Sequence, residues 1–417
     1  MKRIAFLVLA ALLVLPATSG CANQEKEEKS ELDNPDLYLL YWQKDISGDT
    51  DMQKVIEIFE EKYGGKVTVE GVSSYEQYIT QVTAKFSAGA SPDWIGGYEY
   101  ELQPLMEKNI LEDITPYIDT DNEDYGWDAM ERIKYKGAYY GITGKTGANI
   151  LFYNKRIFEN AGETTPTELF YQGKWDWKTF AELGKRLTVD TNNDGIIDQW
   201  GFETYSYDTI FRSNDGMYTR MNENGTIEVS IKDQKTTNAM KFFQDIYVGP
   251  NRFGKYDATA WDKDFMNGNT AMLLGFSWMA EMIFYNKMED EFGIAPFPHG
   301  PDVEANSAGG SQYWYQAAVS GCKNPKGFVA FANERMAYGK EKSEKDRHPV
   351  WTTEHVEVFE KMKELKVYGG YPSAILINST FVWLPLAVEG KPVSQLQEHL
   401  TPYLNSLIKT KETASES

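Results

Sequence analysis

The stretch from Leu37 to Tyr100 constrains the fold more than any other part of the chain. Leu37-Tyr38-Leu39-Leu40-Tyr41 is a short apolar run, the pattern of a buried strand. From Asp51 to Tyr63, the residues Met52, Val55, Ile56 and Phe59 recur at i, i+3, i+4 and i+7, on one face of a helix. Thr50 or Asp51 can cap that helix, and Gly64-Gly65 ends it. Lys66 to Val72 alternates as a strand does. Tyr75 to Ser87 is helical again, with Tyr75, Tyr78, Ile79, Val82 and Phe86 on one side and Gly89 as its stop. Ser91 to Ile95 opens another strand. This β-α-β-α-β order predicts a parallel sheet covered by helices on both faces. Ligands of such sheets sit beyond the carboxyl ends of the strands. Those ends supply Trp42-Gln43-Lys44-Asp45 and Gly96-Gly97-Tyr98-Glu99-Tyr100.

A second α/β segment follows. Strands are expected at Ala138–Ile142, Asn149–Tyr153, Ala271–Leu274 and Ile294–Phe297. Helical patterns occupy Lys235–Tyr247, Trp278–Glu289, Pro325–Ala337, Thr353–Leu365 and Val393–Lys409. At 417 residues the chain is long enough for two or three domains. No Pro/Gly/Ser linker divides it, which suggests two lobes between which the chain crosses more than once.

The N-terminus has the form of a secretory signal. Lys2 and Arg3 precede an apolar run from Ile4 to Leu15, too short for a membrane span of about 20 residues. Leu15-Pro16-Ala17-Thr18-Ser19-Gly20-Cys21 is similar to a bacterial lipobox, after which the cysteine becomes the lipid-bearing first residue. It departs from that pattern at Thr18, where an aliphatic residue is usual. The alternative is ordinary signal-peptide cleavage nearby. Residues 1–20 are thus expected to be removed and residues 21–35, rich in Glu and Lys, to form a disordered tether. The chain holds two cysteines, so a lipid on Cys21 leaves Cys322 without a disulfide partner. Loss of Lys2 and Arg3 takes the net charge from −20 to −22. Such a surface repels phosphate backbones and argues against a nucleic-acid partner.

The sharpest motif is Asp190-Thr191-Asn192-Asn193-Asp194-Gly195-Ile196-Ile197-Asp198. Asp190, Asn192, Asp194 and Asp198, with the Ile196 carbonyl, fall at the ligand positions of an EF-hand-type loop, and Gly195 stands at its turn. A structural Ca²⁺ is expected there. The twelfth position is Gly201 instead of a bidentate Glu, with Glu203 nearby, and a metal-free Asx-turn loop is the alternative. Catalytic signatures are sparse. His299, His348, His355 and His399 form no zinc motif, and Gly275-Phe276-Ser277-Trp278-Met279 lacks the final glycine of a nucleophile elbow. Gly144-Lys145-Thr146 lacks the first glycine of a P-loop, because Tyr139 stands there. Cys322, before Lys323-Asn324-Pro325, has the look of a turn residue.

Several ordered segments resemble one family. They are Gly141-Ile142, Asn149 to Lys155 with Phe158 and Ala161-Gly162, Pro166, Trp175-Asp176-Trp177 and Phe180. They continue through the loop from Asp190 to Phe202, Phe265 to Gly268 with Ala271-Met272 and Trp278, Gly293 to Pro298, and Ala317 to Ser320 before Asn324-Pro325. Together they resemble the extracellular solute-binding proteins of bacterial carbohydrate ABC importers, the maltose-binding-protein-like group. The resemblance implies an α/β, two-lobe periplasmic-binding-protein-like fold. Each lobe is a sheet flanked by helices, and a hinge of several crossovers joins them. The expected division is 36–145 plus 294–340 for the first lobe and 146–293 plus 341–417 for the second. It implies no enzyme but a monomeric binding subunit, held at the extracellular face of the cell membrane by lipid on Cys21. Its partners would be a carbohydrate ligand and ABC permease subunits. Sugars take flat aromatic faces and planar acceptors. By position the expected ligand contacts are Trp42, Gln43, Tyr98, Glu99, Asn149, Trp278, Trp314 and Trp383, with Trp94 assigned to the core. The alternative is a secreted carbohydrate-active enzyme, a glycosidase or lyase.

Overall fold

The computed structural model describes residues 32–416 except 145–148, 205, 222–225, 257–260, 281–286, 306, 309–312, 343–348 and 369–382. The expected signal, Cys21 and most of the tether lie outside the described residues, as does the middle of the expected helix 278–289, residues 281–286. Among the described residues, no helix is long and apolar enough to cross a membrane.

The alternation of apolar runs and amphipathic stretches builds the first lobe as expected. Strand Leu37–Tyr41 pairs in parallel with Val67–Gly71, and a parallel bridge between Leu39 and Trp94 attaches the strand Ile95–Tyr98. Leu37, Leu39 and Tyr41 face one apolar cluster with Val55, Phe59, Trp94 and Phe331, while Leu40 faces another with Tyr78, Val82, Leu102 and Tyr315. Both faces of the sheet are therefore buried, as a βαβ unit requires. Trp94 is in the core, its indole N–H donating to Gln316 Oε1 at 3.0 Å. The first helix spans Thr50–Tyr63, and its cap is Asp49, not Thr50 or Asp51. The Asp49 side chain accepts from the Met52 amide at 2.9 Å, a geometry open only to the residue outside the first turn.

The second sheet has the order Phe292–Pro296, Ile150–Asn154, Met272–Gly275, Glu203–Thr204. The strand Ile150–Asn154 runs antiparallel to both of its neighbours. This corrects the expected boundary at 294. The strand Phe292–Pro296 pairs with Ile150–Asn154, so residues 294–296 belong to the second lobe. The chain returns to the first lobe only before Trp314–Ala317, which pairs antiparallel with Ile95–Tyr98. The helix Pro325–Glu341 packs on Thr50–Tyr63 in the first lobe, and Thr353–Met362 packs on Phe292–Pro296 in the second. The last helix, Val393–Glu416, lies on Gln234–Tyr247 and also meets Glu99–Glu107 of the first lobe. Ile227 packs against the cores of both lobes, so the lobes touch there.

Candidate functional site in the interlobe region

In the first lobe, the carboxyl end of the sheet gathers aromatic rings. Trp42 directly follows the strand Leu37–Tyr41, Tyr98 ends its own strand, and Trp314 stands opposite Tyr98 in register. The Trp314 ring lies 4.7 Å from Trp42 and 4.9 Å from Tyr98, edge to face in both cases. Tyr98 in turn stacks on Tyr100 at 5.7 Å. A Cβ on Gly96 would come within 2.6 Å of the Trp314 ring, so the glycine makes room for the indole. Glu101 braces the platform from beneath. It accepts from the Tyr98 amide at 2.8 Å and from the Tyr75 hydroxyl at 2.8 Å, and burial raises its carboxyl pKa. The structure thus brings Trp42, Tyr98 and Trp314 together, and adds Tyr100. Gln43 is exposed beside them.

Glu99 opens the helix Glu99–Glu107 and is buried. Its Oε1 accepts from Gln103 Nε2 at 3.2 Å, and its Oε2 lies 3.7 Å from Arg132 Nη1. Its oxygens are therefore engaged within its own lobe. Arg132 also lays its guanidinium over the Tyr313 ring at 4.7 Å, a cation–π contact.

In the second lobe, Ile150, Gly275 and Pro296 are in register, and Thr204 pairs next to Gly275, so the residues beyond them form one edge. Asn149 sits at this edge but is committed locally. It is buried, and its side-chain amide donates to the hydroxyls of Ser206 and Thr209, tying down the start of the helix Tyr207–Arg212. Ser206 donates to Asp208 Oδ1 at 3.1 Å, and Asp208 Oδ2 lies 3.2 Å from Arg212 Nε. Trp278 is on offer. It follows the strand Met272–Gly275, is 38% exposed, and has Phe276 stacked behind it at 6.2 Å.

Trp383 is not a surface group. It is fully buried among Phe211, Tyr218 and Phe243, and its indole N–H donates to the Tyr218 hydroxyl. The expected ligand contact is corrected to a core residue of the second lobe, because helix packing closes over the whole ring. The preceding residues Thr380–Val382 lie outside the described residues.

The loop from Asp190 to Asp198 closes on itself. Asp190 accepts from the amides of Asp194 and Gly195, at 3.2 and 2.7 Å. Asn192 accepts from Asp194 N at 2.8 Å, and Asp194 from Ile196 N at 2.8 Å. Asp198 accepts from the Thr191 amide at 2.9 Å and its hydroxyl at 2.7 Å. These are Asx-type turns, with Asn193 and Gly195 at positive φ. Glu203 is buried and bonded to Thr270, so it does not complete the loop. Among the described residues, no group of three His, Cys, Asp or Glu side chains is arranged to hold a metal. The loop's carboxylates accept from its own backbone amides and from the Thr191 hydroxyl. Cys322 lies in the turn before Pro325, and burial pushes its thiol up to about 12, far from a reactive thiolate.

One further relation spans the lobes. Tyr315, in the first lobe, donates its hydroxyl proton to the Ala129 carbonyl at 2.8 Å. Burial raises its pKa most. Glu99 pushes in the same direction, while Arg132 and Arg212 oppose. Sequence reasoning missed Arg132 and Arg212. For Arg212 a signal existed in Asp208 at i−4, but that spacing equally marks an ordinary exposed helix pair.

The family model for bacterial extracellular solute-binding proteins matches residues 43–335. The chain belongs to this family. Its members are binding proteins, and the match spans every segment of the site except Trp42 and the helices beyond residue 335. Among curated relatives, the maltotriose-binding protein of Pyrococcus abyssi is 24% identical over 225 residues, 53% of this chain and 42% of the relative. The aligned part thus spans less than half of that relative's length. Among solved structures of similar fold is an ABC substrate-binding protein of Listeria monocytogenes in complex with cycloalternan. It has a TM-score of 0.67 at 18% identity, over 90% of this chain and 99% of that one. A cyclo/maltodextrin-binding protein complexed with maltotetraose gives a TM-score of 0.69 at 16% identity, over 92% and 99%. The two-lobe α/β architecture of this solute-binding protein is the one these neighbours share.

Proposed function

We propose that this solute-binding protein captures a sugar or oligosaccharide between its lobes and delivers it to the permease subunits of an ABC importer. The observation that carries this reading is an aromatic cluster at the edge of one sheet and an exposed tryptophan at the edge of the other. Trp42, Tyr98 and Trp314 cluster at the carboxyl end of one sheet, and Trp278 stands exposed at the corresponding edge of the other. Aromatic faces against the C–H faces of pyranose rings are the chemistry such surfaces suit. Ligand touching both lobes favours the closed state, because only that state makes all the contacts. The sugar-binding relatives support the same reading.

The test is calorimetric titration of the purified mature protein with mono- and oligosaccharides, maltotriose among them. The expected result is saturable binding with no rise in reducing ends. No binding to any sugar, or release of new reducing ends, sinks the proposal; the second outcome favours the enzyme alternative. Trp278→Ala is expected to weaken binding roughly tenfold or more, each decade being about 1.4 kcal/mol. Because the ring is partly exposed, melting of the ligand-free protein should barely change. Loss of stability without loss of affinity would assign Trp278 to packing.

The anchor is part of the proposal. The Ser19-Gly20-Cys21 sequence after a short apolar run supports lipidation of Cys21 at the outer face of the cell membrane. Intact mass of protein extracted from membranes decides it. A mass matching an unmodified N-terminus elsewhere removes the anchor from the proposal and leaves sugar capture standing.

A further inference from the structure

We infer that Arg132 and Arg212, one from each lobe, read the oxygen atoms of a neutral, polyhydroxylated ligand. The inference rests on the sugar-binding reading and names residues and ligand charge within it. Arg132 is 8% exposed and Arg212 4%. Among the described residues, Arg132 Nη1 and Arg212 Nε are nonetheless buried without a hydrogen-bond partner, although each has a carboxylate close by. Trp314 Nε1, on the aromatic platform, is buried and unpartnered in the same way. Folded proteins rarely bury N–H groups without an aligned acceptor. All three are donors. What completes them is a set of acceptor oxygens, and the two arginines offer their donors one from each lobe, Arg132 over the Tyr313 ring and Arg212 beside Asp208.

The charges around them decide the class of ligand. Glu99 stands beside Arg132 and Asp208 beside Arg212, so each cation already has its counter-ion. Glu101 lies under the platform, and the whole chain carries −20. No net positive charge is left for a carboxylate, sulfate or phosphate. A neutral ligand brings lone pairs without that repulsion. Hydroxyl and ring oxygens of a glycan fit, and the planar guanidinium can meet two of them at once.

The experiment titrates the mature protein with two matched sets of di- to tetrasaccharides, neutral members including maltotriose and counterparts carrying a uronate. It is repeated at low and high NaCl. A neutral member is expected to bind at least tenfold more tightly than its uronate counterpart, with a dissociation constant independent of salt. Arg132→Gln and Arg212→Gln should each weaken that binding by tenfold or more. Arg132→Lys should recover it only in part, since the fork is lost. Because an arginine variant strands a carboxylate, folding is checked by circular dichroism. The ligand-side comparison on the unaltered protein stands whatever the variants do. Neutral sugar bound equally well by folded Gln variants overturns the inference and leaves sugar binding intact. Tighter, salt-sensitive binding of the uronates overturns it likewise. Binding of neither set brings down both the inference and the sugar reading.

Discussion

Trp383→Ala is expected to destabilise the folded protein by about 3–5 kcal/mol, the range for deleting a fully buried Trp side chain. It should leave the sugar affinity of the remaining folded protein within about twofold. The ring has no exposed surface and packs edge to face against Phe211 and Phe243, at 5.3 and 5.0 Å. Its removal opens a cavity between the helices Tyr207–Arg212 and Gln234–Tyr247 that rigid neighbours fill only partly. It also takes away the donor that meets the Tyr218 hydroxyl. Trp383→Phe, which keeps most of the volume, should cost much less. Urea unfolding of the three proteins measures these differences, and sugar titration of the same samples separates core from cleft. If Trp383→Ala kept wild-type stability but lost affinity tenfold, the residue would return to the ligand site.

Trp383 and Trp278 show where the sequence stops being readable. Both follow apolar segments, and both are tryptophans near element boundaries. Period and propensity treat them alike, because burial of one side chain depends on which helices arrive over it from far along the chain. The local pattern was legible where it concerned one element. The spacing of Met52, Val55, Ile56 and Phe59 gave the helix Thr50–Tyr63 to within a residue. The strand at Phe292–Pro296 was found too, but not its lobe, because pairing with Ile150–Asn154 is a long-range choice that alternation does not encode. The Asp190–Asp198 loop teaches a related lesson. Oxygen-bearing side chains at alternate positions suit a cation, and the same side chains accept from the loop's own amides, so the residue pattern alone does not separate a metal loop from a set of Asx turns. At the aromatic edge of the first sheet, Trp42 and Tyr98 were recoverable because strand order fixes which ends meet, whereas the pairing that brings Trp314 opposite Tyr98 is a long-range one. Arg132 and Arg212 were not, since N–H groups buried without an acceptor among the described residues are created only by packing.

Glu203→Gln is expected to remove a large part of the pH dependence of stability between about pH 5 and 8. Glu203 sits on the short strand Glu203–Thr204, paired in parallel with Leu273, and its carboxyl is enclosed. Thr270 donates to one oxygen at 2.7 Å, while the other has no hydrogen-bond partner among the described residues. Loss of water is the main cause that pushes its pKa from 4.5 up to about 8. Asp264, itself paired with Lys255, adds to the rise, while Thr270 and Lys255 oppose it. The nearby Tyr247 hydroxyl is buried and neutral. The folded protein therefore holds this proton more tightly than the unfolded chain. The associated stability is fully present below pH 4.5, falls as pH rises, and is lost once pH passes about 8. At roughly 1.4 kcal/mol per pH unit, the full loss is on the order of 4–5 kcal/mol. Glutamine keeps an acceptor for Thr270 and carries no charge at any pH. The variant should match the wild type near pH 5 and exceed it by several kcal/mol near pH 8.5. Denaturant unfolding across that range gives the difference directly, because titrations shared by both proteins cancel. Two parallel curves would show that Glu203 ionises at an ordinary pH, and that water reaches it through motions of the strand and of the helix Trp261–Met266 beside it.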